Sequence, residues 1–262
     1  MSRKYIVTGS ASGIGAATVA LLRDRHATVY GIDIHDAEIN ADLSTKDGRK
    51  FAATKAIELC DGTIDAVIAC AGLAHPIAKT VSVNFFGVTD LLTQLLPALT
   101  KSSAPRVSIT SSMASLMPNS PDLVRAMLDS DEEGAVTIAQ GLVDIGAAEA
   151  SLIYGSTKRA LSRWIRRECI KPEWAGAGIP LNAVGPGIVE TPMVAEMIST
   201  MESRTAIDAM VPMPLNYYLK PRQVAYLLIW LTSVENTHTT GQTIYIDGGS
   251  DAALRGDDIW VH

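Results

Sequence analysis

Short apolar runs alternate along the chain with longer segments in which apolar residues recur at helical spacing. The short runs are rich in β-branched residues and are bounded by glycine, aspartate or proline, which predicts strands. The longer segments place apolar residues on one helix face, as at Ile14, Ala17 and Leu21. The predicted strands are residues 4–7, 28–32, 40–43, 65–70, 106–110, 180–184 and 243–246, and the predicted helices between them include 45–60, 79–99, 151–170 and 222–232.

This alternation predicts the fold class. Strands and helices that alternate at such spacing form a parallel sheet with helices on both faces. We therefore expect an α/β protein with one doubly wound, Rossmann-type domain over residues 1–262. Its central parallel sheet should contain about seven strands, one for each predicted run.

The segment 116–150 does not follow the alternation. It separates a predicted strand from a helix that should lie closer to it, and its pattern predicts a helical insertion with short helices near 123–128 and 136–145. The acidic run 129–133 inside it is predicted to be solvated. The insertion residues expected to be buried are Leu123, Met127, Val136, Ile138, Leu142 and Ile145.

Composition excludes several classes of function. The chain has 22 Lys and Arg against 28 Asp and Glu, a net charge of −6, and no basic block, which argues against nucleic-acid binding. No apolar run approaches the roughly 20 residues of a membrane span, and the N-terminus lacks a signal-peptide core. We expect a cytoplasmic protein without a metal site, because no metal-ligand spacing occurs among Cys60, Cys70, Cys169, His26, His35, His75, His238 and His262.

A glycine-rich loop joins the first predicted strand to the first helix. The loop reads Thr8-Gly-Ser-Ala-Ser-Gly-Ile-Gly15. Gly9 permits the tight turn, Gly13 lets the backbone approach a pyrophosphate, and Gly15 allows close helix–sheet packing. The free N–H groups of the helix N-terminus then face the phosphates. The loop residues predicted to bind a dinucleotide are Gly9, Ser12, Gly13, Ile14 and Gly15.

Asp33 at the end of the second predicted strand indicates which dinucleotide binds. An acidic side chain there accepts hydrogen bonds from the adenosine ribose and repels a 2′-phosphate. The residues that follow, 34–36, offer no arginine to pair with such a phosphate. The sequence therefore favours NAD over NADP.

Tyr154 and Lys158 lie four residues apart in a predicted helix and hence on one face. A nearby ammonium stabilises a phenolate and is expected to lower the pKa of the tyrosine. Such a tyrosine can remove a proton from an alcohol or donate one to a carbonyl.

The glycine loop and the Tyr154-x-x-x-Lys158 pair together resemble the motifs of the short-chain dehydrogenase/reductases. The resemblance extends over nearly the whole chain, because further family motifs follow in the family's order. These are Val83-Asn-Phe-Phe-Gly87, Ser111-Ser112, Asn182-x-x-x-Pro186-Gly187 with Thr191, and Thr240-Gly-Gln-x-x-x-x-Asp247-Gly-Gly249.

The resemblance implies a role for each matching residue. Tyr154 would be the general acid/base, and Lys158 would lower its pKa and hold the nicotinamide ribose. Ser112 would hydrogen-bond the substrate oxygen, while Ser111 and Ser115 are expected to be structural. Asn84 would help to hold a water that links Lys158 to solvent. The remaining cofactor-binding residues would be Asp42 and Leu43 at the adenine, Cys70, Ala71 and Gly72 after the fourth strand, and Gly187, Val189 and Thr191 at the nicotinamide.

A narrower resemblance suggests the substrate. Gly31-Ile-Asp-Ile34, Ala41-Asp-Leu-Ser-Thr45, Cys70-Ala-Gly72 and the long insertion are similar to the bacterial 3-alpha-hydroxysteroid dehydrogenase/carbonyl reductase branch. In this family the methionine-rich segment 191–219 would be a lid over the substrate. Because methionines adapt to varied apolar shapes, we expect a hydrophobic alicyclic alcohol or ketone such as a 3-alpha-hydroxysteroid.

Other interpretations stay open. Another alcohol dehydrogenase of the family fits the same motifs, as does a 3-oxoacyl-carrier-protein reductase, although Asp33 and the lack of an obvious basic docking patch disfavour the latter. A non-enzymatic NAD-sensing scaffold could also use this fold. The family commonly dimerises through the helix that the insertion precedes, so we expect a homodimer or homotetramer whose assembly depends on the insertion.

Overall fold

Seven parallel strands form one sheet in the order β3-β2-β1-β4-β5-β6-β7. The structure is a computed structural model, and it describes residues 2–260. The chain reverses its direction of progress along the sheet after β3, which is the doubly wound arrangement. The strands are β1 Lys4–Thr8, β2 Thr28–Asp33, β3 Ile39–Asn40, β4 Ala66–Ala69, β5 Arg106–Thr110, β6 Leu181–Pro186 and β7 Thr243–Ile246.

Helices cover both faces of the sheet. On one face Gly13–Asp24 (α1) packs with Pro221–Leu231 (α10), so this face has its own apolar core. A separate core on the other face is formed with Lys46–Leu59 (α2), Gly87–Leu99 (α4) and Leu152–Glu168 (α8). The expected α/β fold with a seven-stranded parallel sheet is therefore confirmed. The helices are α1 Gly13–Asp24, α2 Lys46–Leu59, α3 Lys79–Val81, α4 Gly87–Leu99, α5 Pro121–Leu128, α6 Glu132–Ile145, α7 Ala147–Ala150, α8 Leu152–Glu168, α9 Met201–Met210, α10 Pro221–Leu231 and α11 Ser250–Arg255.

Two predicted elements differ from the structure. The short strand predicted at 40–43 begins one residue earlier and is shorter, because β3 pairs with β2 only at Ile39 and Asn40. The chain then turns to begin α2, whose N-cap Thr45 accepts a hydrogen bond from the Gly48 amide. The helix predicted at 79–99 is interrupted by a π-helical turn, Ser82–Phe86, between α3 and α4.

The insertion consists of three helices, α5, α6 and α7, rather than the two that were predicted. Leu123 and Met127 are fully buried, whereas Ile145 is 70% exposed, so the expected burial of Ile145 is wrong. Val136, Ile138 and Leu142 are half-buried. The run 129–133 is also not wholly solvated, because Asp131 caps α6 and Glu132 forms an ion pair with a buried arginine.

The segment 191–219 folds over the carboxyl end of the sheet as a short helical turn, Pro192–Val194, followed by α9. Its two ends are held together by a bridge between Val189 and Leu219. Ile207 and Val211 pack against Met113 and Ile188 in a third, smaller apolar cluster. None of the helices within residues 2–260 combines the length and the hydropathy that crossing a bilayer demands.

Candidate active site

The glycine loop has the backbone geometry of a dinucleotide cradle. Gly9 has a φ of +67°, and a Cβ at that position would lie 2.8 Å from the Ala71 amide nitrogen. A Cβ on Gly15 would collide with the Gly9 carbonyl, so α1 begins in direct contact with the turn. Gly13 opens α1 opposite Thr191. The site therefore fits a bound pyrophosphate at the α1 N-terminus, where backbone N–H groups are free.

Asp33 lies at the edge of this cradle, at the end of β2. Its Oδ2 accepts a hydrogen bond of 2.9 Å from the Ala11 amide, and its Oδ1 accepts one of 2.7 Å from the Ile34 amide. The glycine loop itself thus fixes the carboxylate beside the position expected for the adenosine ribose.

Asp42 and Leu43, which follow β3, line the same cleft. Burial raises the pKa of Asp42, but hydrogen bonds from Ser44 and the Lys79 ammonium outweigh it and leave the pKa below its usual value. The Lys79 Nζ is 3.1 Å from the Asp42 Oδ2. Sequence reasoning did not assign Lys79 to the site, although it begins the helical segment that closes this side.

Lys158 is almost completely buried beneath the cleft. Its Nζ donates a hydrogen bond of 2.9 Å to the carbonyl of Thr110 and lies 5.7 Å from the centre of the Tyr154 ring. Burial lowers the pKa of Lys158 from 10.5 to about 8, with the Cys70 thiol opposing the change. The ammonium therefore titrates close to neutral pH.

The expected lowering of the Tyr154 pKa is wrong for this structure. Burial raises the pKa of the phenol, and the Ser112 hydroxyl opposes that effect only in part. The physical reason is that desolvation of the phenolate outweighs the attraction of an ammonium located against the ring.

The hydroxyl of Ser112 faces the cleft at the end of β5. Its Oγ accepts a hydrogen bond of 3.1 Å from the Ala114 amide and so caps the short helical turn that follows. The neighbouring serines point elsewhere: Ser111 contacts Ser162 at 3.0 Å, and Ser115 contacts the Tyr245 hydroxyl at 2.9 Å. These contacts agree with the structural roles expected for Ser111 and Ser115.

Asn84 lies in the π-helical turn and is completely buried. Its Oδ1 accepts a 2.7 Å hydrogen bond from the Leu73 amide, and its Nδ2 donates to the Leu73 carbonyl and to Thr157. Asn84 thus ties the loop after β4 to helix α8, close to Lys158. A role for Asn84 in holding a water stays a prediction.

Cys70 directly follows β4 and lines the cleft. Burial raises the pKa of its thiol to about 11, so it is neutral near pH 7. Its Sγ accepts a hydrogen bond of 3.2 Å from the hydroxyl of Thr110, the last residue of β5. The side chain therefore packs under the cofactor cleft as an uncharged group.

One cavity of about 460 Å³ joins these residues. Asn84 lies behind its wall, whereas every other predicted catalytic or cofactor-binding residue lines it. The lining includes Gly9, Ser12, Gly13, Ile14, Gly15, Asp33, Asp42, Leu43, Cys70, Ala71, Gly72, Ser112, Tyr154, Lys158, Gly187, Val189 and Thr191. Sequence reasoning missed Lys79, Val83 and Thr110, which also line the cavity. Thr110 was recognisable, because ligands of such sheets bind at the carboxyl ends of strands.

No cluster of three potential metal-ligating side chains occurs among residues 2–260. His262, one of the histidines considered above, lies outside the described residues. The site combines the backbone cradle with the side chains of Ser112, Tyr154 and Lys158.

This fold and site define an oxidoreductase, and the chain belongs to the short-chain dehydrogenase/reductase family. A family model described as Enoyl-(Acyl carrier protein) reductase matches residues 9–251. The chain is 35% identical over 255 residues to a 3-alpha-hydroxysteroid dehydrogenase/carbonyl reductase of Comamonas testosteroni. The aligned region covers 95% of this chain and 97% of that protein.

Two further relatives extend the comparison. The crystal structure of a 3-alpha-hydroxysteroid dehydrogenase from Pseudomonas sp. B-0831, complexed with NADH, superposes with a TM-score of 0.88 at 35% identity, covering 98% of this chain and 100% of that one. A 3-oxoacyl-[acyl-carrier-protein] reductase of Thermotoga maritima is 27% identical and covers 93% of this chain and 96% of that protein.

Proposed function

We propose that the protein interconverts a secondary alcohol and a ketone on a hydrophobic alicyclic compound, such as a 3-alpha-hydroxysteroid, with NAD as its cofactor. The observation that carries the proposal is the placement of the Ser112 and Tyr154 hydroxyls in one cavity directly above buried Lys158. The cofactor would supply the hydride chemistry. Gly9, Gly13 and Gly15 would hold its pyrophosphate, and Gly187, Val189 and Thr191 would lie at its nicotinamide end.

The protein's own part in the reaction is proton transfer and orientation. Ser112 would donate a hydrogen bond to the substrate oxygen and so position it next to the Tyr154 hydroxyl. Because burial raises the pKa of Tyr154, the phenol carries its proton near neutral pH, which suits donation to a ketone oxygen. In the oxidative direction the phenol would first release its proton to solvent, and a charged Lys158 would stabilise the resulting phenolate. The phenolate oxygen would then take the alcohol proton.

The preference for NAD over NADP is supported by the surroundings of Asp33. The Ala11 amide holds the Asp33 carboxylate at the position proposed here for the adenosine ribose. Arg23 is on the adjoining helix, but it pairs with Glu38 at 2.6 Å, and Glu38 is itself anchored to the Gly31 amide. This arginine is therefore already engaged and does not offset the repulsion between Asp33 and a 2′-phosphate.

The hydrophobic substrate is supported by the lid. Met113, directly after Ser112, packs with Ile188, Ile207 and Val211 in an apolar cluster. Met113 and Ile188 are chain neighbours of the cavity-lining residues Ser112 and Gly187. Four methionines of the segment 191–219 are exposed, namely Met193, Met197, Met201 and Met210. Of these, Met193 lines the cavity.

A second candidate, a 3-oxoacyl-carrier-protein reductase, is favoured by one observation. The sequence was expected to lack a basic docking patch, and that expectation is wrong. Helices α5 and α8 enclose a second cleft, of about 490 Å³, with Asp129 on one side and four arginines around it. Such a cleft complements an acidic carrier protein. The arginines are Arg125, Arg159, Arg163 and Arg167.

The test is a substrate screen with NAD and NADP, following NADH or NADPH absorbance. The panel contains alicyclic ketones and alcohols, among them steroids, and a 3-oxoacyl thioester presented both on a carrier protein and as a short synthetic thioester. Turnover of the alicyclic compounds with NAD supports the proposal, whereas turnover only of the carrier-linked thioester with NADPH refutes it in favour of the second candidate. Cofactor binding without turnover of any substrate would support the scaffold interpretation.

Tyr154→Phe is the matched control for this screen. It should reduce kcat by about 10²–10⁴-fold, the usual contribution of a general acid/base group, and leave NADH binding largely intact. A variant that keeps more than about a tenth of the wild-type kcat would contradict the role of the phenol.

A further inference from the structure

A buried ion cluster joins the insertion to the backbone of the cofactor cleft. At its centre is Arg49 on α2, whose side chain is completely inaccessible to solvent. Its Nη1 and Nη2 donate to the two carboxylate oxygens of Glu132 at 3.1 and 2.6 Å, and Glu132 is in the first turn of α6. This fork is the geometry in which arginine holds a carboxylate most firmly.

The same guanidinium reaches two other elements. Nη1 also donates a hydrogen bond of 3.3 Å to the carbonyl of Leu43, whose residue lines the cofactor cavity. Nε lies 3.1 Å from the Asp90 Oδ2 on α4, although its N–H is not aligned for a hydrogen bond. Arg49 therefore contacts the insertion, α4 and the loop that begins α2.

The Leu43 carbonyl occupies a crowded position. A Cβ added to Gly87, at the start of α4, would lie 3.1 Å from it. The side chain of the neighbouring Asp42 accepts a hydrogen bond of 2.9 Å from the Ser44 amide, which braces this short loop from within. The hydrogen bond from Arg49 to the Leu43 carbonyl holds this loop, and the two hydrogen bonds to Glu132 fix the orientation of the Arg49 guanidinium.

We propose that Arg49 and Glu132 are positioning residues for the adenine half of the cofactor cleft, so that the insertion controls cofactor affinity without touching the cofactor. This inference rests on the proposed function only in taking Asp42 and Leu43 as the adenine contacts. The insertion then has a function at the active-site cleft that is independent of any role in subunit assembly.

Glu132→Gln tests this inference. The amide keeps the shape of the side chain but removes the charge that holds Arg49. Residues that act on a site without contacting its ligand typically change affinity by about 2- to 30-fold. We expect a loss of that size in the affinities for NADH and for AMP, measured by calorimetry, with KM for NAD rising in parallel. The kcat and the affinity for nicotinamide mononucleotide should stay unchanged.

The matched control is Glu133→Gln, the same charge change at the next, exposed position of α6. It should leave all of these quantities unchanged. Glu132→Asp retains the charge, and we expect it to recover part of the lost AMP affinity, which also provides a folded variant if Glu132→Gln does not fold.

The readouts separate the possible outcomes. A folded Glu132→Gln variant with a lower melting temperature but wild-type affinity for AMP would overturn the inference, because the cluster would then be purely structural. Equal losses for AMP and nicotinamide mononucleotide would overturn it as well. A wild-type chain that binds neither NADH nor AMP would instead refute the proposed function.

Discussion

Replacement of Lys158 by methionine should stabilise the protein while it abolishes turnover. Burial lowers the pKa of Lys158 from 10.5 to about 8. At 1.36 kcal/mol per pKa unit, holding this ammonium charged in the folded state costs about 3 kcal/mol below pH 8. The variant also loses the hydrogen bond to the Thr110 carbonyl, which is worth about 1 kcal/mol. The free energy of unfolding of Lys158→Met should therefore exceed that of the wild type by about 2 kcal/mol near pH 7.

The stability difference between Lys158→Met and the wild type should change with pH, because only the wild type carries the buried lysine. Between about pH 8 and 10.5 the unfolded wild-type chain binds the lysine proton and the folded chain does not, so wild-type stability rises with pH across this window. The variant has no such group, and its advantage should fall by about 3 kcal/mol between pH 7 and the upper end of the window. Above it, only the lost hydrogen bond distinguishes the two proteins, and the wild type becomes the more stable one.

Urea unfolding of both proteins at several pH values between these limits measures the difference. Lys50→Met is the control, because Lys50 is exposed on α2 and its replacement should give a stability difference that does not change with pH. A Lys158→Met variant less stable than the wild type near pH 7, or a difference that stays constant with pH, would refute the argument from burial.

Two further predictions concern the cofactor and the assembly. Asp33→Ala should narrow the ratio of kcat/KM between NAD and NADP, because it removes both the ribose contact and the repulsion of a 2′-phosphate; a wild type that uses NADP equally well would make the assignment wrong. Deletion of residues 118–148 with a loop of about 4–6 residues should change the oligomeric state measured by light scattering. The deletion removes Glu132, the ion-pair partner of Arg49. It is therefore combined with Arg49→Met, because a buried charge left without its partner costs about 3–5 kcal/mol. An unchanged oligomer in a folded, NADH-binding deletion variant would contradict the dependence of assembly on the insertion.

The strands, the glycine loop and the placement of the catalytic pair were predictable because each depends on local sequence. β4, for example, is buried along its whole length and reads as a continuous apolar run. The π-helical turn at Ser82–Phe86 was not predictable, since its extra residue changes no apolar position enough to break the helical pattern. The pKa of Tyr154 was also misjudged, because it depends on how far the phenol is buried and on where the ammonium of Lys158 lies.

Arg49 shows both the limit of sequence reasoning and a signal that was present. A charged residue is normally assigned to the solvent side of a helix, since arginine is rarely buried unless it is paired. On α2, however, Ala52, Ala53 and Ala56 follow Arg49 at spacings of three, four and seven residues, so all four lie on one helix face. That face is buried. A face made of alanines leaves room for a long side chain. The partner, Glu132, is far away in sequence and could not be paired with it before the fold was known.

The bridge that joins the two ends of the segment 191–219 has a consequence for how that segment can vary. The Leu219 amide donates to the Ile188 carbonyl at 2.9 Å, and the Glu190 amide donates to the Leu219 carbonyl at 2.8 Å. The ends of the lid are thus joined independently of what lies between them. For a loop closed in this way, doubling its length costs only about 0.6 kcal/mol in chain entropy. The stretch after the cavity-lining residues 191–194 can therefore vary in length and sequence at little cost in chain entropy, while Thr191 and the nucleotide half of the protein stay in place.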